Sequence, residues 1–568
     1  MLIIMIFFLH YFIVPSPISS QEYLHMSNNI KERAKKIRNM PIDGQDEDYW
    51  TNKGMMELEN AILTYNNLNT NKAKNVIIFI GDGMSLPTVT AGRIYKAQQI
   101  TKEKDAEGSL LTFEKFPHLG LSKTYCVDRQ TPDSASTASA IFTGIKTSFL
   151  TVGFDNSVKF GDVKSQETAN KVDSLMKWAQ DAGKDTGLIT NTRVSHATPS
   201  ALYAHSADRA WECDRKTPNI SDGDITLQLV RGETGRRAKV VLGGGRESWC
   251  PGNKKGDWVK RCNKHKPKMA TSWNCSRLDG QDLISEFLQK DKTMPYEFKN
   301  KKGKYVSNRK ELLDLDVNKV DYLLGLFSDS YMKYENDREE DNSPDKEPSL
   351  AEMTRVAINV LKKNKEGFFL MVEGGKIDKA HHASMANTAV HETASLDKAV
   401  EEALSLVDIE ETLIIVTADH GHTMSIAGYQ SRGSDIRGLV DDQKAEDGKP
   451  YMIMSYANGN GYKPSFYSNG NEVERVDLRN WNNYTDFKFL NPSAVPGVDW
   501  ETVSPGGGHS IDETHSGADV GIFATGPFSH LFHSVHEESY ISYVVSYAAC
   551  IGRFNNAIAK RCIKTPYK

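Results

Sequence analysis

Five short apolar segments of the chain end abruptly in glycine or in acidic residues. They are NVIIFIGDGM (75–84), TGLITNTRVSHA (186–197), AKVVLGGG (238–245), GFFLMVEGGKID (367–378) and TLIIVTADHGHT (412–423). Short continuous apolar runs bounded by turn residues are typical of strands that are buried on both faces. Amphipathic stretches with helical spacing lie between them, at 168–183 and 349–364. Because strands alternate with helices, the sequence predicts an α/β fold with a doubly wound, mostly parallel sheet flanked by helices.

The composition is that of an ordinary globular protein and gives no hint of a partner. Of 568 residues, 39% are hydrophobic and 25% are charged, and the formal net charge is -4. Such a balance predicts no nucleic-acid binding and no attraction to a membrane surface, so that any activity must come from a local site. Residues 428–505 are rich in Gly, Asn and Tyr, which indicates a mostly β or irregular subdomain inserted in a domain of residues 21–568.

The N-terminus predicts export from the cell. An apolar run up to Val14 is followed by Pro and small residues up to Ser20, as in a secretory signal peptide of residues 1–20, with a membrane anchor as the alternative. No other segment is apolar and long enough for a transmembrane helix. A secreted or extracellular-surface protein can carry disulfides and N-glycans. We expect a Cys550–Cys562 bridge, a free buried Cys126, two bridges of open connectivity, and three acceptor sites; the residues concerned are Cys213, Cys250, Cys262, Cys275, Asn219, Asn274 and Asn483.

Acidic, imidazole and hydroxyl side chains follow the predicted strands, where each strand ends. They are Asp82, His196, Thr198, Glu373, Asp378, Asp419 and His420. One such aspartate alone is more often a helix cap than a ligand. Open α/β sheets, however, bind their ligands at the carboxyl ends of their strands, and carboxylates that converge there repel one another unless cations are bound.

The segment IDKAHH (377–382) points to zinc. Asp378 and His382 are four residues apart and share one face if this segment is helical. A further imidazole, His515, precedes the apolar segment VGIFA. These ligands are too many for one tetrahedral ion, so we expect two or three metals. Imidazoles suit zinc, whereas the oxygens of Glu373 and Thr198 suit magnesium.

The stretch TPDSASTAS (131–139) has two interpretations. Pro132 and Asp133 are typical helix-start residues, and the hydroxyls behind them are consistent with simple capping. A serine at a helix N-terminus is also well placed to meet an anion, and a zinc ion could make it a nucleophile. On this stretch alone, simple capping is the favoured interpretation.

The motifs together resemble the alkaline phosphatases. FIGDGM, PDSAS, TRVSHATP, the YAH segment with Arg209, FLMVEGGKIDKAHH, TADHGHT and DETHSGADV occur in the family's order, from about residue 45 to Cys562. The resemblance implies an enzyme that hydrolyses small phosphate monoesters through a covalent phosphoserine at Ser134. It also implies a homodimer, in which Tyr429 reaches the neighbouring subunit's site, and a crown-like surface subdomain at 428–505.

The resemblance also implies ligands for two zinc ions and one magnesium ion. One zinc would be bound by Asp378, His382 and His515, and the other by Asp82, Asp419 and His420 beside Ser134. Magnesium would be bound by Asp82, Thr198 and Glu373, with His196 next to it. Asp133 and Arg209 would contact the substrate, and the guanidinium of Arg209 would bind two phosphoryl oxygens.

Two positions depart from the animal members of the family. Lys379 stands where a histidine is common, which places a positive charge near the zinc ligands. Ser328 stands after Phe327 where those enzymes have a glutamate of a calcium site, although Glu347 could still contribute a carboxylate. The alternatives are another member of the same metal superfamily, such as a phosphodiesterase or sulfatase, and an inactive surface-exposed pseudo-phosphatase.

Overall fold

The computed structural model describes residues 20–37, 45, 47–252, 273–290, 301–440, 448, 451–459, 466–468, 473–475, 512–554 and 562. Residues 1–19 of the predicted signal peptide, as well as Cys262 and Asn483, lie outside the described residues. The chain divides into two compact units, Met1–Leu68 and Asn69–Lys568.

The first unit contains two packed helices, α1 (Ser20–Ile37) and α2 (Glu47–Asn66). Arg33 on α1 lies 3.3 Å from the carboxylate of Glu59, which is buried on α2. The apolar side chains Trp50, Leu58 and Tyr65 of α2 are exposed. Across the described residues of the whole chain, no helix is both long enough and apolar enough to cross a membrane.

The second unit is built on a sheet of ten strands, in the order β18-β2-β17-β8-β1-β7-β3-β4-β6-β5. The strands are β1 Asn75–Ile80, β2 His118–Lys123, β3 Asp185–Arg193, β4 Val240–Gly244, β5 Gly303–Val306, β6 Tyr322–Leu326, β7 Phe368–Glu373, β8 Thr412–Thr417, β9 Gly421–His422, β10 Met424–Ile426, β11 Leu439–Val440, β12 Tyr451–Met452, β13 Met454–Tyr456, β14 Phe466–Ser468, β15 Val473–Arg475, β16 His515–Ser516, β17 Val520–Thr525 and β18 Ser534–Glu537. Strands β9 to β16 form short antiparallel pairs outside the sheet.

The central strands β8, β1, β7 and β3 are parallel neighbours, and β17 pairs antiparallel with β8 and β2. Strand β1 is buried along its whole length, which explains its unbroken apolar sequence. Its alternate residues enter the two cores: Ile78 packs in the core on one face of the sheet and Ile77 in the core on the other. The predicted α/β sheet is therefore confirmed.

Helices flank the sheet. They are α3 Leu86–Tyr95, α4 Ser134–Thr143, α5 Val163–Thr168, α6 Leu175–Asp181, α7 Ala197–Ser200, α8 Ile225–Arg231, α9 Leu283–Leu288, α10 Arg309–Leu313, α11 Glu335–Glu340, α12 Leu350–Leu361, α13 Lys376–His382, α14 Ala386–Leu406 and α15 Tyr540–Ala549. The stretch 349–364 forms α12, which Ser349 and Glu352 start as a capping box. The prediction of one helix over 168–183 is wrong, because α5 ends at Thr168 and the side chain of Ser174 caps a new helix, α6.

The described cysteines agree with an oxidising compartment. Cys550–Cys562 forms the predicted bridge, Cys213 pairs with Cys275, and Cys126 is free and buried, as predicted. In the region predicted as an inserted subdomain, the described residues include the short antiparallel pairs β11–β12 and β14–β15. Its extent over 428–505 stays a prediction.

Candidate active site

Three carboxylates meet at the carboxyl edge of the central strands. Asp82 follows β1, Glu373 ends β7, and Asp419 follows β8, and all three side chains are fully buried. Because these strands are parallel neighbours, their ends bring the carboxylates to the same edge. The structure thus brings together the acidic residues that the sequence places at strand ends.

Potential metal ligands at this edge form three groups, and within each group the ligand atoms lie within 4.8 Å of one another. The Asp378 group contains Asp378, His382, His422 and His515; the Asp419 group contains Asp82, Asp419 and His420; and the Glu373 group contains Asp82, His196 and Glu373. Asp82 belongs to both the Asp419 group and the Glu373 group, and the ring of His515 in the Asp378 group stacks on that of His420, with 3.7 Å between the centroids. The three groups therefore form one continuous cluster. The set of side chains, carboxylates with imidazoles, is one that suits zinc and magnesium.

The Asp378 group is built on helix α13. His382 Nε2 lies 3.2 Å from Asp378 Oδ1, one helical turn away, as the spacing in IDKAHH predicts. His515 Nε2 lies 3.2 Å from the same oxygen and 3.0 Å from His382 Nε2. Two imidazole nitrogens and a carboxylate oxygen therefore point at one another, an arrangement that a shared cation would stabilise.

His422 is a member of this group that the sequence analysis missed. Its Nε2 lies 2.8 Å from Asp378 Oδ1, and its Nδ1 bonds to the buried carboxylate of Glu513. Burial opposes a charged ring, but Glu513 and Asp378 raise the pKa of His422 to about 9. The segment TADHGHT places His420 and His422 two residues apart, and β9 pairs His422 directly with His515. The available signal was therefore the second histidine of this segment, two residues after His420.

Ser134 lies at the first position of α4, where Asp133 is the helix cap. The Asp133 carboxylate accepts hydrogen bonds from the backbone N–H groups of Ala135 and Ser136. Ser134 Oγ lies 3.1 Å from His420 Nε2 and 3.4 Å from Asp82 Oδ1. The serine hydroxyl thus lies next to the Asp419 group and at the positive end of a helix.

Other hydroxyls of TPDSASTAS pack along α4, and one of them also touches the site. Ser139 Oγ donates to the carbonyl of Ala135. Thr137 Oγ1 donates to the carbonyl of Asp133 and lies 3.4 Å from Asp419 Oδ2. The threonine is therefore more than a packing residue, because it supports a carboxylate of the Asp419 group.

Arg209 faces the same space from another loop. Its Nη1 donates to Asp133 Oδ2 over 2.9 Å, and its Nη2 donates to His196 Nε2 over 3.2 Å. Although burial opposes its charge, Asp133 raises the pKa of Arg209 further above its ordinary value. A guanidinium held on both sides in this way presents a fixed planar fork, which matches phosphoryl oxygens.

Glu373 is fully buried and is held by two threonines. Its Oε2 accepts hydrogen bonds from the hydroxyls of Thr190 and Thr192. Thr198, predicted as a ligand, is buried in the short helix α7, for which His196 is the cap. His196 belongs to the Glu373 group, and Thr198 lies close enough to Glu373 to lower the pKa of its carboxyl.

Burial and mutual repulsion dominate the electrostatics of the carboxylates. Burial raises the pKa of Asp82 well above its ordinary value, and Asp378 and Asp419 raise it further. Burial likewise raises the pKa of Asp419 to about 6 and that of Glu373 to about 7. Among the described residues, Asp82 Oδ2 and Glu373 Oε1 are buried without a hydrogen-bond partner. The residues therefore fit divalent cations, which would offset the repulsion and occupy these oxygens.

The two positions that depart from the animal enzymes differ in how they affect the site. Lys379 Nζ lies 2.8 Å from Asp378 Oδ2, so its positive charge is inside the cluster. Glu347 is buried and accepts from the backbone N–H of Lys333, whereas Asp329, beside Ser328, is paired with Arg246. In the described part of the chain, no group of three His, Cys, Asp or Glu ligand atoms includes Glu347.

A glycine allows the cluster to close. Gly83 has φ +72, and a Cβ atom there would lie 2.5 Å from the Cδ2 atom of the His422 ring. Its backbone N–H also donates to Asp419 Oδ1 over 3.1 Å. Only glycine combines this backbone conformation with so close an approach of the imidazole, which explains the second glycine of FIGDGM.

The comparisons with known proteins agree with this site. A family model described as alkaline phosphatase matches residues 73–551. The chain belongs to the alkaline phosphatase family. The human tissue-nonspecific isozyme is 42% identical over 517 residues, which cover 90% of each chain. Alkaline phosphatase 4 of Drosophila melanogaster is 40% identical and covers 89% of this chain and 82% of its own. This alkaline phosphatase is therefore a phosphate-monoester hydrolase.

Solved structures show the same fold. The alkaline phosphatase of Thermus thermophilus superposes with a TM-score of 0.58 at 20% identity, covering 85% of this chain and 92% of that one. The enzyme of the Antarctic bacterium TAB5 gives a TM-score of 0.52 at 19% identity, covering 84% of this chain and 99% of that one.

Among the sequence relatives, the membrane-bound alkaline phosphatase of Bombyx mori is 38% identical, over 84% of this chain and 80% of the relative.

Replacing Gly83 by alanine tests the close approach. Both the positive φ and the contact with His422 oppose a side chain, so we expect Gly83→Ala to lower the free energy of unfolding by at least about 2 kcal/mol. Phosphatase activity should fall with it. Gly161→Ala is the matched control, since its φ is +69 but nothing lies within 4 Å of the added Cβ. Equal losses of stability and activity in the two variants would contradict the account.

The raised pKa of Glu373 predicts a pH-dependent stability of the metal-free protein. The folded state keeps a proton on Glu373 up to about pH 7, whereas the unfolded chain loses it near 4.5. Stability from this group is therefore present below pH 4.5 and is lost as the pH rises to 7. Relative to chelator-treated wild type, the free energy of unfolding of chelator-treated Glu373→Gln should therefore rise by about 3 kcal/mol between pH 4.5 and 7. Above pH 7 the difference should stay constant.

Urea unfolding at a series of pH values measures this difference. The exposed Glu401→Gln should give the pH profile of the wild type. A Glu373→Gln profile parallel to the wild type from pH 4.5 to 7 would show that the carboxyl group is not held protonated by its surroundings.

Proposed function

We propose that this alkaline phosphatase hydrolyses phosphate monoesters through a covalent phosphoserine at Ser134, assisted by two zinc ions and one magnesium ion. The observation that supports the proposal most is the position of Ser134 Oγ. It lies at the start of α4, 3.1 Å from His420 Nε2 and 3.4 Å from Asp82 Oδ1, next to the Arg209 fork.

The three groups of ligands suit the three ions. One zinc would be bound by the Asp378 group through Asp378, His382 and His515, and the other by the Asp419 group and Ser134. Magnesium would be bound by Asp82, Thr198 and Glu373, with His196 beside them. When bound, the ions would lower the pKa of the serine hydroxyl and of the attacking water, and would offset negative charge on the reacting oxygens.

The side chains of the protein position the substrate. The two outer nitrogens of Arg209, held by Asp133 and His196, would donate to two phosphoryl oxygens. The backbone N–H groups at the start of α4 direct a positive potential toward the same group. Asp133 thus acts twice, as the cap that starts the helix at Ser134 and as the carboxylate that orients the guanidinium.

The reaction would proceed in two displacements. Ser134 Oγ attacks phosphorus, the bond from phosphorus to the ester oxygen breaks, and the alcohol leaves with a proton. Water then attacks the phosphoserine in line, which releases inorganic phosphate and restores the hydroxyl group. Thr137, which bonds to Asp419, and the threonine pair on Glu373 would keep the carboxylates in place during both steps.

The proposal extends to the setting of the enzyme. The side chains of the site would bind the phosphoryl group, and few of them would contact the alcohol part of the substrate. We therefore expect broad specificity for small phosphomonoesters. The disulfides fit a secreted or extracellular-surface protein that is made with a signal peptide and carries glycans at exposed asparagines such as Asn219. Tyr429 is 81% exposed, as expected of a side chain that reaches a second subunit in a homodimer.

Removing the Ser134 hydroxyl tests the covalent mechanism. Without a nucleophile, Ser134→Ala should lose at least about a thousandfold in kcat on p-nitrophenyl phosphate at alkaline pH. Mass spectrometry of acid-quenched reactions should find a phosphoryl adduct on the Ser134 peptide of the wild type and none in the variant.

Ser139→Ala is the matched control, since Ser139 is a buried serine of the same helix that bonds only to backbone groups. It should keep both the activity and the adduct. Full activity in Ser134→Ala, with unchanged metal content, would rule out Ser134 as the nucleophile.

A further inference from the structure

One aromatic side chain beside the site has no part in the mechanism above. Tyr331 lies in the loop that follows β6, half-buried. Its ring meets the ring of His196 edge-on, with 5.6 Å between the centroids and 79° between the planes. Lys379 Nζ lies 5.8 Å from the same ring. The tyrosine is therefore in contact with the histidine that accepts a hydrogen bond from Arg209.

The tyrosine is itself held by a stack of side chains. The guanidinium of Arg193 lies 4.1 Å from the centroid of the Tyr331 ring and 4.5 Å from that of Trp273. A guanidinium between two aromatic faces is a favourable cation–π arrangement, and more so where water is excluded. Trp273 and Arg193 are both buried. The ring of Tyr331 is thus fixed from the side of the protein interior.

A buried carboxylate completes the stack. Glu212 accepts hydrogen bonds from Arg193 Nε, over 2.8 Å, and from Ser195 Oγ, over 2.7 Å. Glu212 lies three residues after Arg209, and Ser195 directly precedes His196. The Glu212 carboxylate therefore links the loop of Arg209 to the segment of His196. Arg193, which binds the same carboxylate, also packs against Tyr331.

We propose that Tyr331 is a positioning residue, whose ring holds the imidazole of His196 so that it orients the guanidinium of Arg209 for phosphate binding. The inference rests on the proposed role of Arg209 as the phosphate-binding fork. Asp133 holds Nη1 of that fork and His196 holds Nη2. If the imidazole of His196 is free to rotate, the guanidinium of Arg209 keeps only its hydrogen bond to Asp133. Its plane then no longer matches the phosphoryl oxygens.

Replacing the ring tests the proposal in the full-length, metal-loaded enzyme. We expect Tyr331→Leu to raise both KM for p-nitrophenyl phosphate and the inhibition constant of inorganic phosphate about fivefold or more. Tyr331→Phe keeps the ring and should stay within about twofold of the wild type for both constants. If Tyr331→Leu does not fold, Tyr331→Met, which also lacks the ring, takes its place.

Tyr543→Leu is the matched control. Tyr543 also faces an arginine, with Arg553 at 5.0 Å, but it lies at the other end of α4 from Ser134. This variant should leave both constants unchanged. Unchanged constants in Tyr331→Leu, or an equal rise in Tyr331→Phe, would overturn the proposal.

A double-mutant cycle separates this proposal from the function of Arg209. If Tyr331 acts through the arginine, Tyr331→Leu should have almost no effect on phosphate inhibition once Arg209→Ala is present. If Tyr331→Leu raises the inhibition constant by the same factor with and without Arg209, the role of Tyr331 is overturned and that of Arg209 is not. If Arg209→Ala by itself leaves phosphate inhibition unchanged, the proposed phosphate fork fails, and the positioning role with it.

Discussion

The structure of this alkaline phosphatase depends on carboxylates that are buried together at one edge of its sheet. Asp82, Glu373, Asp378 and Asp419 are at most 1% exposed, and burial with mutual repulsion raises the pKa of three of them. Asp378 differs because the neighbouring His382 and Lys379 hold its pKa well below the ordinary value despite burial. Bound cations would offset this repulsion, so we infer that they are part of the folded enzyme.

Both the sheet and the segments outside it contribute side chains to the site. Parallel neighbours bring the acidic strand ends to one edge, whereas short antiparallel pairs and capped helices add the remaining side chains. Asp133 starts α4 at Ser134, and the pairing of β9 with β16 sets His422 opposite His515. Ser134 is therefore positioned by a helix cap, and His422 and His515 by a strand pair.

Much of the fold and of the site could be predicted from the sequence, because the strands and the helix of Asp378 depend on patterns of neighbouring residues. Apolar runs that end in Asp or Glu predicted the strands, and i,i+4 spacing predicted the helix of Asp378 and His382. His422 escaped because its link to Glu513 joins residues 91 apart. Tyr331 escaped for the same reason, since it follows β6 whereas its partners Arg193 and His196 lie at the end of β3 and just after it. Spacing along the chain carries no information about such contacts between distant loops.

The most direct test of the central claim is the metal content of the purified enzyme, measured by inductively coupled plasma mass spectrometry. We predict two zinc ions and one magnesium ion per chain, and removal of the ions by chelation should lower Tm and activity together. Restoring the ions should restore both. A metal-free chain with undiminished Tm and full activity would contradict the claim that cations neutralise the buried carboxylates.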